Sequence, residues 1–269
     1  MSDGSSPAIV AAEGPGGGTA EAAEYARYEA TSAAPPPDRS PVTLIDQDPS
    51  DMAYRSIREY GHVRDEVDLV VPVKTLDRAK TRLAGATGDP VTHAALALAL
   101  ALDTVSAALR AEGVRRVFAV TSDPAVAAEM AALGVESIPE PPQPGLNAAL
   151  RHGAQALGSP RVGALQADLP ALRPEELAAA IELAGRRRAF VPDRQNTGTT
   201  LLLAAPNADL DPRFGEDSAA KHVSSGATPL LGPWPTLRCD VDTPEDLRVA
   251  SGLGLGEQTS KVIVISATK

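Results

Sequence analysis

From residue 67 the chain alternates between short apolar runs and longer stretches of helical periodicity. "VDLVVPV" (67–73) is continuously apolar, as in a strand buried on both faces. "PVTHAALALALALDTVSAALRAEG" (90–113) predicts a long helix, with Pro near its start and Gly113 past its end. A second buried strand follows in "RRVFAVTS" (115–122). "DPAVAAEMAALG" (123–134) predicts a short helix capped by Asp123 and stopped by Gly134. Further on, "VESIPE" predicts a strand, "LNAALRHGAQAL" (146–157) a helix, and "RVGALQA" (161–167) a strand leading to a helix that begins near Pro174. After residue 189 two strands come close together, "AFVPD" and "TTLLLAA". There is no internal repeat.

Alternation of this kind predicts a mostly parallel sheet with helices on both faces. With right-handed crossovers the fold class is a Rossmann-like three-layer α/β/α sandwich. The two close strands predict an antiparallel element at one edge. Ligands in open α/β sheets sit beyond the carboxyl ends of the strands. The places to search are therefore after residues 73, 121 and 167, and around 240.

Composition divides the chain. Residues 1–41 are rich in Ala, Gly, Pro, Ser and Glu and cannot bury enough apolar surface to offset their ordering entropy. We expect a disordered or weakly structured extension over 1–66, with a short helix around "AYRSIREYG", a main domain over 67–255 and a carboxyl-terminal tail over 256–269. The formal net charge is -10. Residues 1–66 hold twelve Asp/Glu against five Lys/Arg, so the acidity belongs mostly to the extension and says little about the core's ligands. No basic face suggests nucleic acid, and "GRRRA" (185–189) reads as a helix carboxyl terminus complementing its dipole. No apolar run approaches the roughly 18–20 residues that span a membrane. The amino terminus lacks a basic region followed by an apolar core, so no secretory signal is expected. The single cysteine, Cys239, fits a reducing, cytoplasmic setting and reads as a small buried hydrophobe.

The chemistry-bearing residues gather at the strand ends. "PVKTLDRAKTRL" (72–83) carries Lys74, Arg78, Lys80 and Arg82. A charge run is ordinarily a solvated helix face. At a strand's carboxyl end it also suits a phosphate chain. No Walker loop or G-x-G-x-x-G is present, which excludes the usual P-loop and NAD signatures. Asp168 ends the strand "VGALQA". It is either a turn or cap residue or a ligand for Mg²⁺, and Pro170 weakens the capping reading. In "LRCDVDTPEDL" (237–247), Thr243, Pro244, Glu245 and Asp246 read as a helix start of capping-box spacing. Asp240 and Asp242 precede the cap, where i and i+2 point to one side. Two such carboxylates repel unless a cation lies near, and with Asp168 they predict a three-carboxylate magnesium site. "RQNTGTTLLLA" (194–204) and "FGEDSAAKHVSSGA" (214–227) read as turn plus cap, or as anion sites built from backbone N–H groups and hydroxyls. Asn147 is an N-cap or a base or ribose contact. His222 is a helix-surface residue or a substrate contact. No nucleophile triad or zinc cluster is supported by the spacing.

The motifs "VVPVKTLDRAKTRL", "LQADLPAL", "DRQNTGTTLLL", "PRFGEDSAAKHVSSGA" and "LRCDVDTPEDL", in this order over residues 69–247, resemble the guanylyltransferases of deazaflavin coenzyme F-420 biosynthesis. That family lies within the nucleotidyltransferases of GT-A-like fold. The resemblance implies an enzyme that transfers GMP from GTP to a small phosphorylated acid, releasing pyrophosphate. Phosphoenolpyruvate is favoured as acceptor by the high-GC character of the composition. 2-Phospho-L-lactate, 3-phosphoglycerate, a cytidylyltransferase activity, and a non-catalytic nucleotide-binding module are the alternatives. It implies acceptor contacts at Thr199 (with Thr200 its neighbour and rival), Gly215 and Ser218. The metal carboxylates fall on Asp168 and Asp240, with Asp242 adjacent and Mg²⁺ as cofactor. Triphosphate contacts fall on Lys74, Lys80 and Arg82, with Asn147 on the nucleotide side. Asp168, Asp240, Lys80 and Arg82 are the residues expected to carry catalysis. The pathway leaves room for a downstream transferase as a partner. Where the family reads "GTGT" this chain reads "NTGT", and Asn196 should tolerate the turn because Asn visits left-handed backbone readily.

Overall fold

A computed structural model describes residues 66–76 and 90–267. The expectations for 1–65, among them the disordered extension and its short helix, lie outside the described residues. The elements run β1 (Val67–Pro72), α1 (Pro90–Ala108), β2 (Val114–Val120), α2 (Pro124–Ala132), β3 (Glu136–Ile138), α3 (Leu146–Leu157) and β4 (Val162–Leu165). They continue with α4 (Pro174–Ala184), β5 (Ala189–Pro192), β6 (Thr199–Leu203), α5 (Ser218–Ser224), β7 (Thr228–Pro229), α6 (Pro244–Leu253) and α7 (Glu257–Ala267).

The strands form one seven-stranded sheet in the order β3-β2-β1-β4-β6-β5-β7. β1, β2, β3 and β4 pair in parallel. β6 runs antiparallel to both β4 and β5, and β7 is parallel to β5. The expected antiparallel element is thus β6, inserted between β4 and β5 in the half of the sheet that ends at β7. Strand order reverses between β1 and β4, which places the topological switch point between their carboxyl ends.

Alternation along β1 builds the two outer layers. Leu69 and Val71 join α1, α2 and α4 on one face through Leu102, Val105, Met130, Leu177 and Ile181. Val70 faces the other side, where Ala149 and Leu150 of α3, Phe190 and Phe214 close the second core. α3 comes so near the sheet that a Cβ on Gly153 would lie 2.7 Å from Val120 and 2.8 Å from Val70. At the amino end of β1, fully buried Asp68 accepts two bonds from Arg115 (2.8 and 2.6 Å) and one from Arg116 (2.7 Å). That charge cluster lies at the opposite strand end from the site.

Local signals account for most boundaries. Asp123 caps α2 through the N–H groups of Ala125 (2.9 Å) and Val126 (3.4 Å). Gly134, with φ +76°, turns the chain past its end. Arg187 donates to the carbonyls of Leu183 and Ala184 at the end of α4, the role expected for the basic cluster. Within 256–269, expected as a carboxyl-terminal tail, residues 257–267 form the helix α7, which docks on α1. The reason is a buried cap. The Asp103 carboxylate, on α1, accepts from Gln258 N (3.0 Å) and Thr259 N (2.8 Å). Val262 of α7 then packs on the cluster of Leu96, Leu100, Ala171, Cys239 and Val241.

In an exposed helix Gly→Ala stabilises by about 1 kcal/mol. Gly153→Ala should do the reverse, destabilising by roughly 1–3 kcal/mol through overpacking against Val70 and Val120, read as a lower denaturant midpoint at unchanged slope.

Candidate active site

Two segments are stitched side by side over the switch point. The Asp168 carbonyl accepts from Val241 N (3.0 Å), and Pro170 O from Gly256 N (2.7 Å). Arg173 N donates to Thr236 Oγ1 (3.0 Å). Glu176 Oε2 accepts from the N–H groups of Thr236 (2.8 Å) and Leu237 (3.0 Å). Beneath them, buried Thr104 of α1 accepts from Leu169 N (2.9 Å) while donating to Leu100 O (2.8 Å). Cys239 and Val241 are fully buried, so the residue between them, Asp240, faces the opposite way, toward Asp168. Burial pushes the Cys239 thiol up to about 11, as suits a core residue.

Asp240 is the most perturbed acid of the site. Burial first, then the charges of Asp168, Asp193 and Asp242, push its carboxyl up to about 8. Asp242 itself is exposed, and its N–H turns to Asp246 Oδ2 at 3.3 Å. Among the described residues no three His, Cys, Asp or Glu side chains converge to hold an ion. Of the three carboxylates expected there, Asp168 and Asp240 lie on the two joined segments, while Asp242 is exposed at the entry to α6. Asp168 and Asp240 remain as a pair. The acids after Thr243 separate as their spacing predicts. Thr243 and Asp246 form a reciprocal capping box, and Glu245 pairs with Arg248.

Asp193 follows β5 and carries the same sequence signal as Asp168, an aspartate closing a buried strand. Its carboxylate accepts from Thr197 N (2.9 Å) and Gly198 N (2.8 Å), closing the hairpin into β6. Asn196 takes the left-handed conformation the "NTGT" turn requires, with φ 63°. Arg238 pins this hairpin through Asp193 O (2.9 Å) and Asn196 Oδ1 (2.6 Å), and Arg194 bridges it to Asp246 (3.0 Å).

Because β6 is reversed, its first residues arrive beside the end of β4, where Gln166 N donates to Thr200 O (2.9 Å). Thr199 and Thr200 are both buried. Thr200 Oγ1 turns to Val191 O at 3.4 Å. Thr199 Oγ1 accepts from Ser218 Oγ (3.1 Å) and lies 3.0 Å from His222 Nδ1. Gly215, exposed and at φ +116°, shapes the loop that delivers Ser218. Asn147 is neither N-cap, which is Gly145, nor free. Its amide clamps Phe214, accepting from N at 2.8 Å and donating to O at 3.0 Å. His222 is not on a helix surface but fully buried between Phe190 and Phe214.

Lys74 follows β1 and is exposed. The loop beyond it is tied down at Leu76, whose N–H donates to Asp123 Oδ2 (3.1 Å). Lys80 and Arg82, like Arg78, lie outside the described residues. So Asp168, Asp240, Thr199, Gly215 and Ser218 meet at one end of the central strands, while the Asn147 amide is taken up by Phe214.

A MobA-like NTP transferase domain model matches residues 95–225. The phosphoenolpyruvate guanylyltransferase of Geodermatophilus obscurus is 53% identical over 200 residues, spanning 72% of this chain and 93% of that protein. The chain belongs to the phosphoenolpyruvate guanylyltransferase family. A second member, from Salinispora arenicola, is 54% identical over 195 residues, 71% of this chain and 91% of its own. Among solved structures, a nucleotide-diphospho-sugar transferase candidate from Desulfovibrio desulfuricans G20 superposes with a TM-score of 0.59 at 19% identity, over 76% of this chain and 96% of that one. That likeness bears on the fold alone. The Asp168 and Thr199 sites fall inside the matched domain, whereas Asp240 lies beyond it. No helix among the described residues is long and apolar enough to cross a membrane.

Burial, then the nearby charges of Arg188 and Arg213 with Asp211 opposing, pushes His222 down to about 4. Its unfolded counterpart takes up a proton near pH 6.5. Between those values the unfolded chain binds a proton the native state refuses, so stability is full above pH 6.5 and falls as the pH drops toward 4. The loss from this one group should approach about 3 kcal/mol. Denaturant titrations of wild type and His222→Gln at pH 7 and pH 4.5 should show a smaller acid loss in the variant.

Proposed function

We propose that this chain transfers GMP from GTP to phosphoenolpyruvate, releasing pyrophosphate. An acceptor-phosphate oxygen attacks the α-phosphorus, a new P–O–P bond forms, and the bond from the α-phosphorus to the bridging oxygen of the leaving pyrophosphate breaks. The observation that carries this reading is the meeting of Asp168 and Asp240 at the switch point with the Thr199–Ser218 hydroxyls a strand away. The family membership supplies the substrates. We further propose that the product feeds coenzyme F-420 biosynthesis in the cytoplasm.

The acceptor is already a phosphate with a second pKa near 6. It needs no strong general base, and none is required of Asp168 or Asp240. The obstacle is bringing two anions together. Asp240, driven upward by burial and three neighbouring carboxylates, marks a place short of positive charge. The donors there are hard oxygens, which suit Mg²⁺ held by one or two carboxylates plus substrate phosphates. Asp168 and Asp240 would hold such an ion, which supplies charge neutralisation and polarisation of the α-phosphate. Lys74, Lys80 and Arg82 are proposed to receive the triphosphate and stabilise charge on the departing pyrophosphate, on the strength of their position after β1. Thr199, Ser218 and the backbone at Gly215 are proposed to seat the acceptor. Thr200, whose hydroxyl is turned to Val191, is the weaker rival for that role. Catalysis is then positioning plus electrostatics, as in other phosphoryl transfers.

Asp168→Asn and Asp240→Asn should each lower pyrophosphate release from GTP and phosphoenolpyruvate by at least about 100-fold; wild-type rates in either would remove that residue from the proposed centre. Turnover across four nucleoside triphosphates, with phosphoenolpyruvate, 2-phospho-L-lactate and 3-phosphoglycerate as acceptors, should be highest for GTP with phosphoenolpyruvate. Indifference to GTP would sink the assignment.

A further inference from the structure

His222 has no exposed surface and no part in the reaction as described above. Both its ring nitrogens are nevertheless engaged. Nε2 lies 3.0 Å from the backbone N of Arg213, a group that can only donate. A neutral imidazole carries one donor and one acceptor nitrogen. Nε2 must therefore be the acceptor and Nδ1 must carry the hydrogen. That hydrogen points at Thr199 Oγ1, 3.0 Å away. The opposite tautomer would set two donors head to head at Arg213.

The tautomer has a consequence for polarity. Thr199 Oγ1 accepts from His222, so the Thr199 and Ser218 hydroxyls need not spend a hydrogen on the ring. They share one hydrogen bond, at 3.1 Å, and one of their two hydrogens is left over. The pair is thus a net donor. The other tautomer would make Nδ1 an acceptor and consume that hydrogen.

We propose that His222 is a positioning residue which, locked as the Nδ1–H tautomer by the Arg213 backbone, keeps the Thr199–Ser218 pair a hydrogen-bond donor and so selects an anionic acceptor there. This rests on the acceptor-site reading of Thr199 and Ser218. The ring is held for the task by its neighbours. Phe214 meets it edge-on with centroids 5.2 Å apart, and Asn147 clamps Phe214 in turn. Arg188, Asp211 and Arg213 are the charged groups that act on it.

Wild-type protein with ¹⁵N-labelled histidine, at pH 7, should show His222 with Nδ1 protonated and Nε2 bare, its signals assigned by their loss in His222→Gln. The Nε2–H tautomer or an imidazolium would overturn the proposal, and this reading needs no folded variant beyond the assignment. Kinetics give the second arm. The Gln amide reaches the Nε2 position and the Asn amide the Nδ1 position. His222→Gln should raise KM for phosphoenolpyruvate about tenfold with KM for GTP unchanged, as expected for one lost hydrogen bond. His222→Asn should recover most of that rise, which a residue that merely fills the core would not do. Equal rises in both variants, beside a rise in Thr199→Val, would overturn the role of His222 alone. An unchanged KM in Thr199→Val would overturn the acceptor site and this proposal with it.

Discussion

The hydrogen bond from Val241 N to the Asp168 carbonyl is the constraint on which the site depends. It joins residues seventy-three apart in sequence and leaves Asp168 and Asp240 side by side. Everything around it serves to keep that bond in register. Thr104 holds Leu169 from below, and Glu176 holds Thr236 and Leu237 from the side. Buried Cys239 and Val241 leave Asp240 only one direction to face. Like charges brought together in a half-buried place cost free energy. The cost is met by the backbone bonds and apolar packing of the two segments that carry the carboxylates.

The two halves of the site differ in electrostatic character. Around Asp240 negative charge accumulates, and the carboxyl is driven upward. At Thr199 the side-chain partners, Ser218 and His222, are neutral. A buried neutral imidazole and two hydroxyls form a hydrogen-bond relay from the Arg213 backbone. In the proposed reaction a triphosphate and a small phosphorylated acid make different demands, and the strand ends offer them different surroundings.

Much of the site could be read before the structure because it rests on local rules. A polar residue closing a buried strand points to Asp168, and capping-box spacing removes Glu245 and Asp246 from the metal question. The left-handed tolerance of Asn predicts the hairpin at Asn196. What escaped the sequence is long-range. Asp193 carries the same strand-end signal as Asp168, but its approach to Asp240 depends on β5 lying beyond the reversed β6, a pairing no local pattern reports. The exposure of Asp242 depends on how the chain leaves the extended stretch for α6. His222 lies twenty-three residues from Thr199 and nine from Arg213, and nothing in those spacings announces a relay. The docking of α7 was hidden for a related reason: its cap, Asp103, sits 155 residues earlier inside another helix.

The reversal of β6 carries one more implication. The other strands contribute to the site where they end, through loops that leave the sheet. β6 contributes where it begins, through a hairpin that enters it. The hairpin at 193–198 and the segment at 211–219 hold each other through the bond from Ala219 N to Thr197 O (3.0 Å). They form one connected unit at the start of β6, tied to the frame through Arg238, Arg194 and Asn147. With the acceptor seated there as proposed, those two segments are the piece to exchange when acceptor preference is to be moved from one member of the family to another.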